Sequence, residues 1–213
     1  MTVYIIIAII AYLIGSINFS VIISKKMAGF DVREKGSGNA GTTNVLRSVG
    51  KKAAAITLVC DILKGVVPIL IAAICGNIAK NSDGALLVQL AAIGAILGHT
   101  YPIFFGFKGG KGVATSLGVL LIINWQIGLV CLVFALILMI LTRMVSVGSV
   151  TAAILLPVLT IFAIGKEHFI ISGNYIAFSI IMAVIVLFNH RSNIKRILEG
   201  KENKISFKKT VEK

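Results

Sequence analysis

The sequence predicts an all-α polytopic membrane protein with seven transmembrane helices, one or two of them short, its N terminus outside and its C terminus in the cytoplasm. Three observations predict it. Of the 213 residues, 57% are apolar and only 14% charged. The mean hydropathy is +0.98, far above that of soluble domains. The third is the gathering of 18 of the 21 lysines and arginines in four segments outside the apolar runs. A crossing needs roughly 20 mostly apolar residues, so this length holds about six or seven spans and no soluble catalytic domain.

The apolar runs cover 3–24, 53–76, 85–106, 113–141, 145–165 and 175–189. The first begins directly after Met1-Thr2, without a basic leader or a small-residue cleavage site, and is expected to stay in the protein as a span. Segment 25–52 carries seven Lys and Arg, 106–112 two, position 143 one, and the stretch from His190 onward eight. Lys80 and Lys166 fall in short links at 77–84 and 166–174, and Lys64 lies inside a span. The positive-inside rule puts the four rich segments on the cytoplasmic face. Six helices cannot do this, because a single helix over 113–141 would send Arg143 and the tail outside. That run is 29 residues long, and Asn124-Trp125-Gln126 near its middle supplies a polar turn. Two short helices, about 113–123 and 127–142, restore the parity, the first being a half-helix shielded by protein. Residues 1–200 then form one seven-helix domain and 201–213 a basic cytoplasmic tail.

The excess of 21 basic over 8 acidic residues reports cytoplasmic loops and a bilayer surface. Nucleic acid is not expected, since basic and aromatic residues do not interleave. Cys60, Cys75 and Cys131 sit in apolar runs without metal-ligand spacing and read as packing residues. No metal or cofactor is expected, and the three aspartates, Asp31, Asp61 and Asp83, offer no Ser-His-Asp arrangement.

Three segments carry chemistry. Gly36-Ser37-Gly38-Asn39-Ala40-Gly41-Thr42-Thr43-Asn44, with Arg47 after it, packs glycines among hydroxyls and amides, a composition that brings N–H and O–H donors close to an anion. It matches G-x-G-x-x-G, but no strand precedes it, which excludes a dinucleotide fold. Gly98-His99-Thr100-Tyr101-Pro102 and Phe107-Lys108-Gly109-Gly110-Lys111-Gly112 lead into the next helix, whose N-terminal amides and two lysines make an anion site. Its spacing is one residue short of a Walker A loop. Asn189-His190-Arg191-Ser192-Asn193-Ile194-Lys195-Arg196 forms a juxtamembrane basic patch with His190 and Asn193 on one helical face. Ser146 and Ser149 follow Arg143 at the start of a span, and Asp61 with Lys64, at i and i+3, reads as a structural pair inside another.

In order, spacing and content these segments resemble the three motifs of the bacterial acyl-phosphate:glycerol-3-phosphate acyltransferases called PlsY: Gly36 to Arg47 the first, Gly98 to Gly118 the second, His190 to Arg196 the third. The resemblance covers nearly the whole chain. It implies a seven-helix fold in the bacterial plasma membrane, an active site facing the cytoplasm, and acylation of the 1-hydroxyl of glycerol 3-phosphate by a fatty acyl phosphate to give lysophosphatidic acid. The implied partners are fatty acyl phosphate, glycerol 3-phosphate and the bilayer. The expected catalytic residues are Ser37, Arg47, Lys108, His190 and Asn193. The expected substrate-binding residues are Gly38, Asn39, Thr43, Asn44, His99, Gly109, Gly110, Lys111, Gly112 and Ser146. Glu202 resembles the family's tail glutamate, in a structural role. Two departures stand out: Ile17-Asn18, where the family usually has a proline, and Tyr101, often phenylalanine. The competing class is a transporter or channel for a small phosphorylated anion, which would want binding groups at the bilayer midplane and repeat symmetry; the cations here lie on one face and no repeat is evident.

Overall fold

The computed structural model describes residues 1–78, 83–162 and 174–205, which contain helices and no strand. The helices are α1 Thr2–Gly15, α2 Phe19–Ala28, α3 Thr42–Ser48, α4 Lys51–Ile78, α5 Gly84–Thr100, α6 Val113–Ile123, α7 Trp125–Thr142, α8 Val145–Phe162, α9 Tyr175–Asn189 and α10 Arg191–Leu198. Lys80, Lys166, most of the links that hold them, and the tail from residue 206 lie outside the described residues. Five segments are long and apolar enough to cross a membrane: Thr2–Ala28, Lys51–Ile78, Gly84–Phe105, Trp125–Thr142 and Val145–Phe162. A sixth is the pair α9 and α10, bent by 63°, and α6 is a shorter apolar helix.

The expected turn within 113–141 is present. Asn124 separates α6 from α7, and its Oδ1 accepts the Ile127 N–H at 3.1 Å, a side-chain cap that satisfies one of the free donors at the α7 start. The two helices fold back on each other: a Cβ on Gly128 would lie 3.1 Å from Leu120 Cβ. With 11 residues α6 is about 16 Å long, too short to face lipid across the whole core. Its Gly118 presses against α4, where a Cβ would meet the Ile62 carbonyl at 2.2 Å, and most of its residues are buried. By contrast Trp125, Leu129, Val133 and Ile137 of α7 are exposed and form a lipid-facing stripe.

The first run, expected to be one span, passes as one over Thr2–Ala28 but is broken at Ser16-Ile17-Asn18 into α1 and α2. Asn18 caps α2, its Oδ1 accepting the Val21 N–H at 3.3 Å. The break frees the Ile17 carbonyl, which accepts from Lys64 Nζ at 2.8 Å. A charged lysine in the second span thus meets a backbone acceptor that a continuous helix would have used internally. The expected Asp61–Lys64 pair forms, with Nζ 3.1 Å from Oδ1 and both side chains buried.

Small residues let the central helices approach. On α5, added Cβ atoms at Gly94 and Gly98 would reach the Ala8 and Tyr12 carbonyls of α1 at 2.7 and 2.2 Å. Such small-residue seams substitute for the hydrophobic drive that lipid does not supply. The core between α1, α4, α5, α6, α8 and α9 gathers Ile69, Leu87, Ile96, Val119, Leu156 and Met182.

Candidate active site

The first glycine-rich segment is a loop between α2 and α3 held by Asn44. Its Oδ1 accepts the Ser37 N–H at 3.0 Å, and its Nδ2 donates to the carbonyls of Val32 and Lys35 at 2.8 and 3.0 Å. Gly36 and Gly38 adopt φ of +59° and +71°, which glycine accepts without strain. Asn44 is buried with its amide fully engaged, so it shapes the loop, while Ser37 and Gly38 are exposed on it and Asn39 and Thr43 half-exposed.

The second segment folds over the end of α5. The amides of Gly109 and Gly110 donate to the Thr100 and His99 carbonyls, each at 3.1 Å. A Cβ on Gly110 would strike His99 Nε2 at 2.2 Å and the Ala40 carbonyl at 2.6 Å, so Gly110 is where the two glycine-rich loops meet. Gly112 then turns with φ of +85° into α6, whose N terminus has no side-chain cap. Its backbone donors are left for a ligand or solvent.

The third segment supplies the opposite wall. Lys111 donates to Asn193 Oδ1. Asn193 Nδ2 donates to Glu202 Oε1 at 2.7 Å, Ser146 Oγ donates to the same oxygen at 2.8 Å, and Arg196 Nε donates to Oε2 at 2.7 Å. Arg47 Nη2 donates to the Asn203 carbonyl at 3.3 Å, and the Ile205 N–H to the Arg143 carbonyl at 2.7 Å. Residues 202–205 therefore clasp α3, α8 and α10 together.

Charge follows this geometry. Burial brings Lys111 down to about 8, opposed by Glu202 and reinforced by the positive charges of Arg196 and Arg47. Burial, with the Lys111 charge, pushes His190 down to about 4. Its Nδ1 lies 2.8 Å from the Val186 carbonyl, so the neutral ring carries its proton there and leaves Nε2 as an acceptor. Burial raises the Glu202 pKa, but the hydrogen bonds from Asn193, Arg196 and Ser146 outweigh it and hold the carboxyl below the usual range.

Beneath this cluster an apolar groove runs between α6, α7, α8 and α9, lined by Leu120, Cys131, Leu132, Ala153, Leu156, Met182 and Val186 among others. Two of its lining residues sit one helical turn from a polar residue of the site, Ser149 below Ser146 and Val186 below His190, and Ser116 lies one turn into α6 from Gly112. The groove thus reaches the start of α6, where its lining residue Val113 follows Lys111 by two positions.

Of the residues singled out from sequence, Arg47, Lys111, Ser146, His190 and Asn193 converge on one cluster, with Gly109, Gly110 and Gly112 shaping its floor. Lys108 stays at the rim, exposed, with its carbonyl accepting from Arg33 Nη1 at 3.2 Å. His99 is buried, its ring turned to Asp61 and to Gly110. Sequence reasoning missed Arg33, which is paired to Asp31 at 2.8 Å and donates to the Phe105 carbonyl at 2.7 Å, tying the first loop to the second. The Asp-x-Arg spacing was the available signal. It also missed how central Glu202 is, for which no local signal exists.

Fold and site together define a helical membrane protein that gathers a cluster of cations and glycine-rich loops next to an apolar groove. The chain belongs to the glycerol-3-phosphate acyltransferase family, whose model matches residues 5–200. It is 44% identical over 206 residues to a glycerol-3-phosphate acyltransferase of Clostridioides difficile, covering 97% of each chain. It is also 44% identical over 196 residues to one of Neisseria meningitidis serogroup C, covering 92% of this chain and 94% of that one. A crystal structure of PlsY, an integral membrane glycerol 3-phosphate acyltransferase in its glycerol 3-phosphate form, superposes with a TM-score of 0.81 at 37% identity, covering 95% of this chain and 96% of that one. The lysophosphatidic acid form of PlsY gives 0.81 at 36% identity, covering 95% of each.

Proposed function

We propose that this protein transfers a fatty acyl group from an acyl phosphate to the 1-hydroxyl of glycerol 3-phosphate, giving lysophosphatidic acid and phosphate. The chain crosses a bacterial plasma membrane seven times, with its N terminus outside and its C terminus and active site in the cytoplasm. The observation that carries this reading is the apolar groove reaching Val113, two residues from Lys111, and Ser149 and Val186, one turn from Ser146 and His190 of the polar cluster. A donor with a long chain and a phosphate needs that junction, and so does the product. The relatives' names and the two forms of PlsY supply the acceptor and product classes.

Two phosphates held about 6 Å apart repel by roughly 3 kcal/mol for each pair of unit charges at an effective dielectric of about 20. Each carries nearly two charges, so assembly needs cations. Lys111 lies within reach of the charges of Arg47 and Arg196, and exposed Lys108 stands on the same loop. The acyl phosphate is already activated, which leaves the protein the tasks of positioning and neutralisation. The acceptor oxygen attacks the acyl carbonyl carbon, the carbon–oxygen bond to phosphate breaks, and phosphate leaves. A donor-phosphate oxygen takes the hydroxyl proton. Burial and the Lys111 charge hold His190 at about 4, which makes it a weak base. His190 Nε2 accepts a hydrogen bond from the acceptor hydroxyl and orients it. Ser37 and the loop amides hold phosphate, while Asn193 steers Lys111.

The test is purified protein in detergent with palmitoyl phosphate and glycerol 3-phosphate, followed by release of phosphate and formation of lysophosphatidic acid. Absence of both products, with palmitoyl-CoA serving instead, overturns the donor assignment.

A further inference from the structure

Three ionisable side chains lie inside the helical body, away from the cation cluster: Asp61 on α4 is 1% exposed, Lys64 4%, and His99 on α5 5%. Lys64 balances Asp61 at 3.1 Å and donates to the Ile17 carbonyl at 2.8 Å. Charge is therefore already matched by two residues. Yet His99 Nδ1 sits 3.6 Å from the same Asp61 Oδ1, and neither Asp61 oxygen nor His99 Nδ1 has a hydrogen-bond partner among the described residues, so the three groups face only one another by charge. Buried ion pairs contribute little net stability and are replaceable by apolar residues of similar volume. A pair kept at the cost of burying charge in a membrane calls for a further use.

His99 supplies it. Its Nε2 side is packed on Gly110, and its carbonyl and that of Thr100 accept the Gly110 and Gly109 N–H groups at 3.1 Å. Gly110 in turn abuts the Ala40 carbonyl of the first loop. One side chain thus spans the distance from a charge inside the membrane to the contact between the two phosphate-facing loops. Asn189 Nδ2 donates to Thr100 Oγ1 at 3.3 Å, which ties α9 to the same turn.

We propose that Asp61 is a positioning residue: through the His99 ring it fixes the Gly109–Gly110 turn, and by that the affinity for the phosphate of glycerol 3-phosphate, a role that rests on the acyl-transfer reading above. Fixing the ring orientation of a histidine with a buried carboxylate is what lets its other nitrogen hold a neighbour in place. The acyl groove, on α6, α7, α8 and α9, is untouched by this link.

The experiment uses Asp61→Asn/Lys64→Met, which removes both charges and avoids stranding one, beside His99→Leu and His99→Asn, the latter keeping a donor at the δ position. Amide hydrogen exchange is read across the protein without substrate, and KM and kcat with both substrates. The expected result is exchange in 106–112 faster by tenfold or more, with α8 and α9 unchanged. KM for glycerol 3-phosphate rises at least tenfold, while kcat and KM for acyl phosphate stay within threefold. His99→Asn retains more affinity than His99→Leu, and adding His99→Leu to the double variant costs nothing further. Unchanged exchange at 106–112 in a folded double variant overturns the proposal, as does uniformly faster exchange in every helix. Faster exchange confined to 106–112 in a protein that makes no lysophosphatidic acid from any donor upholds the coupling and rejects the acyl-transfer reading instead.

Discussion

Lys111 donates its ammonium to the side-chain carbonyl of Asn193, 82 residues away in the chain, and so fastens the glycine loop before α6 to the helix after α9. Both residues then reach Glu202, Asn193 directly and Lys111 through the field. Loop, helix and tail converge on one ammonium.

That ammonium sets the first prediction. With its pKa lowered to about 8, Lys111 is charged below that pH and neutral above it. The kcat/KM for glycerol 3-phosphate, which reports the free enzyme, is expected to fall as pH rises through about 8. Lys111→Arg, always protonated, flattens the decline. Steady-state kinetics between pH 6.5 and 9.5 check this, and a wild-type profile flat to 9.5 rejects it.

His190, held near 4, is neutral throughout this range. His190 itself is expected to add no inflection in this range, so His190→Gln leaves the shape of the profile unchanged. His190→Gln should reduce kcat by less than about 100-fold, the lower end of what loss of a general base costs. Complete loss of turnover, with folding and binding of both substrates intact, would establish His190 as the base in place of the donor phosphate.

Glu202 accepts from Ser146, Asn193 and Arg196 at 2.7 to 2.8 Å. Its removal leaves buried donors and half-exposed Arg196 without a partner. Glu202→Ala is expected to destabilise the protein by about 3 kcal/mol, and Glu202→Gln by less, since the amide keeps one acceptor oxygen. Thermal unfolding in detergent measures the difference. Equal and negligible shifts for both variants contradict the clasp.

Ala153 lines the apolar groove on α8. Ala153→Phe should block its depth and shift donor preference towards short chains. The expected loss in kcat/KM is at least tenfold for palmitoyl phosphate and less than threefold for octanoyl phosphate. Equal losses for both chain lengths place the acyl chain elsewhere.

The turn at Asn124 was legible because charge and length both speak locally: cations cannot be left on the wrong side, and a 29-residue apolar run has room for a break. The break at Ser16–Asn18 was legible only as a departure at Ile17-Asn18, not as a break. Nothing in those residues forbids a helix, and what makes it worthwhile is Lys64, 47 residues on, which uses the freed Ile17 carbonyl. Likewise His99 reads as a loop histidine next to glycines. Only the packing of α5 on α4 turns its ring to Asp61. Arg33 was overlooked because its acceptors, the carbonyls of Phe105 and Lys108, belong to a loop over 70 residues away.

By itself the sequence determined the helical membrane class, the basic face and the three segments that carry chemistry, because hydropathy, charge and glycine content act over a few residues at a time. The tertiary structure alone decided which polar groups gather on Glu202, and that an apolar groove runs between α6, α7, α8 and α9 to within a turn of Ser146 and His190. Those depend on contacts of a few ångströms between residues 9 to 156 positions apart. Such contacts are set by how the helices pack and not by what any one of them contains.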